Sequence, residues 1–213
     1  SQPITDPRVD SRPLVFENGQ FGYLSGGSVV PIPEMSNKVQ GLSPLSATLS
    51  VSAKVTAVGT AAGVYALQSG TNEPVLVDSR PGLVPPSLDP TGYIWTVPAE
   101  LPNQVQVYGP TGNFYQVPAN WDGATGIRSL DVSRDGTRIL AFTVADGLPR
   151  LIVAAIIRDK DGAPVRLGDP VSLESGPGVP VDATWVNQLN VASLTVLPAG
   201  ANSIVLQEIG GRS

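Results

Sequence analysis

Oxygen-bearing side chains at alternate positions give one short stretch of this chain the pattern of a metal-binding loop. Asp131, Ser133 and Asp135 lie two residues apart, and Gly136 follows them. An EF-hand calcium loop begins in this way, but it also needs a bidentate Glu at its twelfth position and a helix on each side. Position twelve here is Phe142, and both flanks alternate as strands do. The pattern therefore predicts a hairpin turn, with a calcium site of another type as the alternative.

A turn accounts for these residues without a metal ion. Glycine accepts positive φ and Asp tolerates the left-handed region, so Asp135-Gly136 suits the tip of a hairpin. The oxygens of Asp131 and Ser133 are expected to accept hydrogen bonds from nearby backbone N–H groups. Residues 89–92, Asp-Pro-Thr-Gly, occupy the same place in an earlier repeat. The recurring feature is thus the turn, and the acid pair is not repeated with it.

Pairs of carboxylates also hydrolyse glycosides when two of them face each other about 5–10 Å apart across a cleft. The chain has no His and no Cys, which excludes His-based triads, His-ligated zinc and thiolate chemistry. We predict no catalytic residue, no metal and no cofactor. A carbohydrate-binding or glycan-hydrolysing protein of the cell envelope is kept as the alternative, and its candidate acids are Asp131, Asp135, Asp146 and Asp182.

Three tryptophans are candidates for packing or for binding. Trp95 and Trp185 sit in strand-like repeat positions and are predicted to be core residues or contacts between repeats. Trp121 lies in a loop, Pro-Ala-Asn-Trp-Asp-Gly, where an exposed indole can anchor a partner. We predict Trp121 as a partner-binding residue. The loops at residues 98–103 and 158–168 are further candidate contact surfaces.

Composition and charge narrow the class of protein. The 23 Gly and 21 Pro residues make up about a fifth of the 213 positions, which favours short elements. The net charge is −5 and basic residues form no block, so a nucleic-acid partner is not expected. The longest apolar run, residues 151–157, is too short to cross a bilayer. We expect contact with a membrane only through a lipid anchor outside this chain.

Short alternating runs predict strands along most of the chain. Asn18-Gly19 and Gly26-Gly27 separate three such runs near the N-terminus, and both pairs favour tight hairpin turns. No window of 12 or more residues carries a helical stripe of apolar side chains. The chain is therefore predicted to be all-β.

Four segments repeat the order strand, polar turn, strand, at intervals of about 40–50 residues. They begin near residues 45, 84, 127 and 181, and each is followed by a loop and a third strand. This spacing is typical of four-stranded antiparallel propeller blades, with a β-sandwich as the alternative. We predict one β-propeller region with a partial first blade at 14–34, full blades at 41–80, 81–120 and 121–175, and an incomplete last blade at 176–213. Because propellers usually close by pairing strands from both termini, we expect an incomplete part of a larger propeller.

Three segments of this chain resemble the propeller domain of the actinobacterial lipoprotein LpqB family. They are Pro13–Gly19, Ser43–Ala47 and Ser129–Arg138, and the likeness covers roughly residues 10–210. The resemblance implies an extracytoplasmic parent protein, anchored to the membrane through a lipidated cysteine that this chain does not contain. It also implies an accessory role in the MtrA–MtrB two-component system, through the external domain of the membrane sensor kinase. We therefore expect a non-enzymatic module that binds a protein partner.

Overall fold

The computed structural model of the chain describes residues 14–50, 55–109, 114–119, 121, 124–174 and 177–209. Almost all of its regular structure is antiparallel β-sheet, because Gly and Pro interrupt the chain every few residues and leave apolar runs of strand length. The fold is a β-propeller, as the sequence predicts.

Within the described residues, nineteen strands form five small sheets, here called blades 1–5 in chain order. Each blade is a meander in which neighbouring strands pair antiparallel, and the blades contain three to five strands. Blade 1 contains β1 (Leu14–Glu17), β2 (Gln20–Ser25) and β3 (Ser28–Pro31); blade 2 contains β4 (Pro44–Ser50), β5 (Val55–Thr60), β6 (Gly63–Gln68) and β7 (Val75–Asp78); blade 3 contains β8 (Ser87–Leu88), β9 (Ile94–Thr96), β10 (Gln104–Tyr108) and β11 (Phe114–Pro118); blade 4 contains β12 (Ala124–Val132), β13 (Arg138–Ala145), β14 (Leu148–Arg158), β15 (Pro164–Leu167) and β16 (Val171–Leu173); blade 5 contains β17 (Val179–Trp185), β18 (Asn190–Val196) and β19 (Asn202–Glu208).

The two predicted hairpin turns of blade 1 are confirmed. Asn18 and Gly19 have φ of 51° and 80°, and Gly26 and Gly27 have φ of 58° and 80°. Two successive positive φ angles define the type I′ turn, whose twist matches that of the strands it joins. The Asn-Gly and Gly-Gly pairs therefore set the register of all three strands.

A short helix between blades 1 and 2 is a feature that the strand pattern did not predict. Helix α1 spans Pro33–Val39, with Pro at its start, where the missing N–H costs nothing. Its Ser36 hydroxyl bonds both the N–H and the C=O of Phe21 on β2. At seven residues α1 is shorter than the window in which a helical stripe can be recognised, so the sequence pattern did not reveal it. A helix of this length is not stable alone, and tertiary contacts hold it in place.

Blade 4 departs from the four-stranded pattern because β14 is long enough to pair with two different strands on the same edge. Its first half, around Ile152, pairs with β16, and its second half, around Ile157, pairs with β15. Strand β15 also contacts β11, the outer strand of blade 3. The second half of β14 thereby carries a hairpin that covers the neighbouring blade.

The blades stack in chain order. Contacts between innermost strands run from β1 to β4, from β4 to β8, from β8 to β12 and from β12 to β17. Between successive blades lie four clusters of buried apolar side chains, of which the largest, between blades 3 and 4, includes Trp95, Val107 and Ile139. A blade cannot bury both of its faces alone, so this stacking supplies the core of the domain.

Candidate functional site: carboxylates between blades and exposed apolar surfaces

The turn that joins β12 to β13 confirms the hairpin prediction for residues 133–136. The Gly136 N–H donates to the Ser133 carbonyl at 2.8 Å, and Gly136 has φ of 70°. The Ser133 hydroxyl donates to Asp135 at 2.6 Å and accepts from the Arg138 N–H at 3.0 Å. Burial alone would raise the pKa of Asp135, but the bonds that its carboxylate accepts from the Ser133 hydroxyl and from Thr137 outweigh burial and lower the pKa.

Asp131 has a different role from the one predicted for it. It was expected to cap nearby backbone, but its carboxylate reaches 54 residues along the chain to blade 5. There it accepts the Trp185 N–H at 3.1 Å and the Thr184 hydroxyl at 2.7 Å. The Trp185 indole N–H donates to the Asp131 carbonyl at 2.9 Å. The difference arises because β12 is an innermost strand. Asp131 therefore lies at the contact with the next blade and not beside the turn that follows it.

A second buried carboxylate connects blades 3 and 4. Asp89, in the turn before β9, is fully buried and forms an ion pair with Arg158 at 2.5 Å. It also accepts bonds from the N–H groups of Thr91 and Tyr93 and, at 3.3 Å, from the Trp95 indole. Since each of its oxygens already has donors, the burial of this charge is compensated.

A third carboxylate connects blades 2 and 3. Asp78 at the end of β7 bonds the Arg80 guanidinium and the Tyr108 hydroxyl of β10. Burial would raise the pKa of Asp78, but the bonds from Arg80 and Tyr108 outweigh it and hold the pKa below its ordinary value. Burial and the bond to Asp78 raise the pKa of Tyr108, so the phenol keeps its proton and remains a donor.

The four acids considered for hydrolysis lie in different settings. Asp131 is engaged by blade 5, and Asp135 stabilises its own turn. Asp146 is exposed in the turn after β13, at the opposite end of that strand from Asp135, so eight strand residues and about 24 Å separate the two. Asp182 is exposed on β17. Among the described residues, no three His, Cys, Asp or Glu side chains form a group that could hold a metal ion.

All three tryptophans are buried, although only two of them were predicted to be. Trp95 and Trp185 are buried between blades, which confirms their predicted packing role. Trp121 was expected to be exposed in its loop, but its side chain is only 6% exposed and packs in the cluster between blades 3 and 4. Its predicted contact with a partner stays a prediction. The loop sequence contains no signal for this burial, because the cluster gathers side chains from several strands of blades 3 and 4.

One end of the propeller carries large exposed apolar side chains on all five blades. This end, where the innermost strands begin and where the second strand of each blade turns into the third, is here called the leucine end. Its exposed apolar residues are Leu24, Val29, Leu45, Leu101, Leu148 and Val179, which are exposed by between 38% and 72%. The pairing of Pro44 with Thr60 and of Ala124 with Ala145 fixes these positions at a common end. The predicted contact loop at residues 98–103 lies here as well.

The opposite end of the propeller combines turns held by polar side chains with further exposed apolar side chains, among them Val75, Phe114, Val186 and Leu189. Asp89, Asp135 and Asn187 each accept backbone N–H groups within their own turns. In the β14–β15 loop, part of the predicted contact surface at 158–168, Asp159 does the same for the N–H groups of Asp161 and Ala163. These polar side chains already accept hydrogen bonds from the backbone beside them.

An apolar depression lies on the face of blade 5 that is turned away from blade 4. It has a volume of about 220 Å³, and Asp182, Leu194 and Ile204 line it. The side chains that alternate with these, Trp185 and Val191, point into the cluster with blade 4. Blade 5 therefore has one covered face and one open face.

The stacked antiparallel meanders define the class of this protein as a β-propeller. The family model of the lipoprotein LpqB β-propeller domain matches residues 19–207, and the chain belongs to this family. This confirms the family resemblance seen in the sequence, and the family description assigns the domain to lipoproteins. No curated protein matches the chain. Within the described part of the chain, no helix has the length and apolar character needed to cross a bilayer.

Solved propeller structures resemble the chain in fold. TolB from Acinetobacter baumannii has a TM-score of 0.65 at 15% identity, over 89% of this chain and 46% of TolB. A chain of the nidogen–laminin complex has a TM-score of 0.58 at 11% identity, over 93% of this chain and 79% of that one. A chain of the complex of KlAtg21 with the coiled coil of AgAtg16 has a TM-score of 0.55 at 12% identity, over 89% and 58%. This chain thus spans less than half of TolB, and the likeness concerns the fold alone.

Proposed function

We propose that this domain is a non-enzymatic protein-interaction module outside the cytoplasmic membrane, as part of a lipid-anchored protein that modulates a two-component sensor kinase. Membership of the LpqB lipoprotein propeller family is the observation that carries the proposal. The partner is the external domain of the membrane kinase. Binding takes place by surface complementarity, without covalent chemistry or a cofactor.

The positions of the carboxylates support the proposal that these acids stabilise the fold and do not take part in catalysis. Asp78, Asp89 and Asp131 each accept hydrogen bonds from the following blade. A catalytic acid has to reach its substrate with a free oxygen and an adjustable proton. These three side chains instead contribute to the stability of the stack, and Asp135 contributes to its own turn.

The leucine end is the surface that we assign to the kinase domain. Its apolar side chains come from all five blades and are held on a sheet scaffold, so that binding costs little ordering of the domain. Apolar side chains that an interface removes from water contribute to binding in proportion to the area they bury. Leu45 and Leu148 are the most exposed of them and are the expected anchors.

Calorimetric titration of the intact chain with the external domain of the MtrB-type kinase from the same organism tests this function. We expect saturable binding with a Kd below about 100 µM, which corresponds to about −5.5 kcal/mol. Leu148→Asp and Leu45→Asp should each weaken binding by about tenfold or more. Val75→Asp, which changes an equally exposed residue on outer strand β7, is the matched control and should bind as the wild type does. Absence of heat at several hundred micromolar would overturn the proposal.

A further inference from the structure

A row of three side chains crosses the face that blade 3 presents to blade 4. Ser87 on β8 pairs with Trp95 on β9, which pairs with Val107 on β10. All three are buried, and the two apolar members belong to the cluster that blades 3 and 4 share. The polar member lies on the innermost strand, where the Ser87 hydroxyl accepts the Val132 N–H of β12 at 3.0 Å.

The face that blade 4 presents to blade 5 carries a row of the same kind. Asp131 on β12 pairs with Leu140 on β13, which pairs with Val153 on β14. Leu140 and Val153 are buried in the cluster shared with blade 5. Asp131 again accepts an N–H of the next innermost strand, that of Trp185. In both rows the side chain on the innermost strand accepts a backbone N–H of the next blade that is not paired within a sheet. The two apolar side chains beside it bury apolar surface against that blade.

Blade 5 repeats the row on its open face. Asp182 on β17 pairs with Leu194 on β18, which pairs with Ile204 on β19. The residue types and the strand order are those of the Asp131 row. Here, however, Ile204 is 73% exposed and Leu194 is 36% exposed, and the depression described above lies over them. Leu206, two residues beyond Ile204 on the same face, is 67% exposed.

We propose that the open face of blade 5 is a docking surface for a sixth sheet of the same repeat. The chain already builds this interface twice, between blades 3 and 4 and between blades 4 and 5, and the Asp182 row continues it. The incoming sheet has to supply the contacts that the Asp182 row lacks. Its innermost strand supplies an unpaired N–H to the Asp182 carboxylate, and its facing strands supply apolar side chains that cover Leu194, Ile204 and Leu206.

Blade 5 itself has the features of such a sheet, because it presents the Trp185 N–H and the Val191 side chain to the Asp131 row. A second copy of residues 177–209, appended after residue 213, is therefore a defined probe for the open face. Strand β19 has seven residues and is about 23 Å long. A Gly/Ser linker of about 20 residues spans about 25 Å on average, which lets the appended sheet begin at the correct end.

Thiol reactivity reports whether the appended sheet covers the face. The chain has no cysteine, so Leu206→Cys in the original blade 5 introduces its only thiol. We expect this thiol to react with a maleimide at least about tenfold more slowly in the extended chain than in the unextended one. Leu45→Cys, exposed at the leucine end, is the matched control and should react at the same rate in both chains.

Changes in the row test whether its own side chains make the contact. In the extended chain, Ile204→Asp combined with Asp182→Asn should return the thiol to the rate of the unextended chain. Equal reactivity of the Leu206→Cys thiol with and without the extension would overturn the proposal. So would protection that the two row substitutions leave unchanged.

A second copy of the whole chain is the competing occupant of this face. Analytical ultracentrifugation of the unextended chain distinguishes it, and we expect a monomer at about 100 µM. A dimer that Ile204→Asp dissociates would overturn the proposal in favour of self-association. The docking surface does not depend on the proposed function, because Ile204 lies on the open face of blade 5 and is not one of the residues assigned to the kinase contact, so Ile204→Asp should leave the kinase titration unchanged.

A test in trans covers the case in which the extended chain does not fold. The unextended Leu206→Cys chain is labelled with an environment-sensitive fluorophore, and a synthetic peptide of residues 177–209 is added to it. We expect a saturable blue shift with this peptide. A peptide with Trp185→Ala and Val191→Asp is expected to give none. No saturation up to about 1 mM, or equal shifts with both peptides, would overturn the proposal.

Discussion

Blades 4 and 5 carry the same row of side chains on the same face, and the two rows have different surroundings. Asp131, Leu140 and Val153 are covered by blade 5, and Asp131 accepts bonds from two of its residues. In the second row, Asp182 and Ile204 are open to solvent. The Asp182 carboxylate instead accepts the N–H of the adjacent Ala183. The comparison shows that blades 4 and 5 each carry the row, whereas its contribution to stability comes from the blade that follows.

The largest difference between the rows is expected from shortening their central leucines. Leu140→Ala leaves a cavity in a closed cluster and should lower the free energy of unfolding by about 3 kcal/mol. Leu194→Ala removes the same atoms from a partly exposed site and should cost about 1 kcal/mol or less. Urea titration followed by circular dichroism measures both values. Equal costs would show that the two rows are covered alike in solution.

The acidic members of the rows should differ next. Asp131→Ala removes the acceptor of the Trp185 N–H and the Thr184 hydroxyl and leaves these donors without it at the contact between blades, so we expect a loss of about 2 kcal/mol. Asp182→Ala changes an exposed side chain and should lie within about 0.5 kcal/mol of the wild type. Thermal unfolding of both variants checks the order. A cost for Asp182→Ala as large as that for Asp131→Ala would contradict it.

A third contrast is between the turn that joins β12 to β13 in blade 4 and the turn that joins β17 to β18 in blade 5. Gly136 has φ of 70°, and a Cβ at this position would lie 2.9 Å from a ring carbon of Pro90. Gly136→Val should therefore cost about 2 kcal/mol through backbone strain and crowding. Gln188→Val, in the corresponding turn of blade 5, where no glycine stands, should cost clearly less. Melting temperatures of the two variants test this, and similar values would show that the turn tolerates a side chain.

The smallest expected effect is the pH dependence of the contribution that Asp131 makes to the free energy of unfolding. Burial raises the pKa of Asp131 above the ordinary value of 3.8, although bonds from Thr184, Trp185 and Ser87 oppose the shift. The folded chain then keeps this proton at pH values where the unfolded chain has lost it, so stability declines as pH rises from about 4 through the folded pKa. The stability lost in Asp131→Asn should accordingly shrink between pH 4 and pH 7, by less than about 2 kcal/mol.

The loss in Leu140→Ala is the control for this pH series, because the substitution removes no titratable group. It should keep the same value across the range. Denaturant midpoints at four or five pH values provide both curves. A loss in Asp131→Asn that grows with pH would mean that the folded protein favours the charged form of Asp131.

Local patterns predicted the meander, because strand alternation and turn glycines act within a few residues. The Asn18-Gly19 turn, the Gly136 turn and the last strands of blades 2, 3 and 4, near residues 75, 114 and 171, could all be placed in this way. The buried tryptophans of the repeat could be placed as well, since Trp95 and Trp185 occupy strand positions. These features depend on sequence neighbours, whose geometry is fixed by the strand period.

Contacts over long distances in the chain were beyond the reach of such patterns. Asp131 meets Trp185 across 54 residues, and Asp89 meets Arg158 across 69. Periodicity gives the face of a strand on which a side chain lies, but it gives neither its partner nor its depth. The burial of Trp121 and the two halves of β14 belong to the same class, because each depends on the packing of one blade on another.

The three carboxylates between blades share a direction. Asp78, Asp89 and Asp131 belong to blades 2, 3 and 4, and each accepts hydrogen bonds from a donor on the next blade along the chain. During synthesis the acceptor of each pair is therefore made before its donor. We expect the domain to grow from its N-terminal side as translation proceeds, with each finished blade serving as the template on which the next one folds.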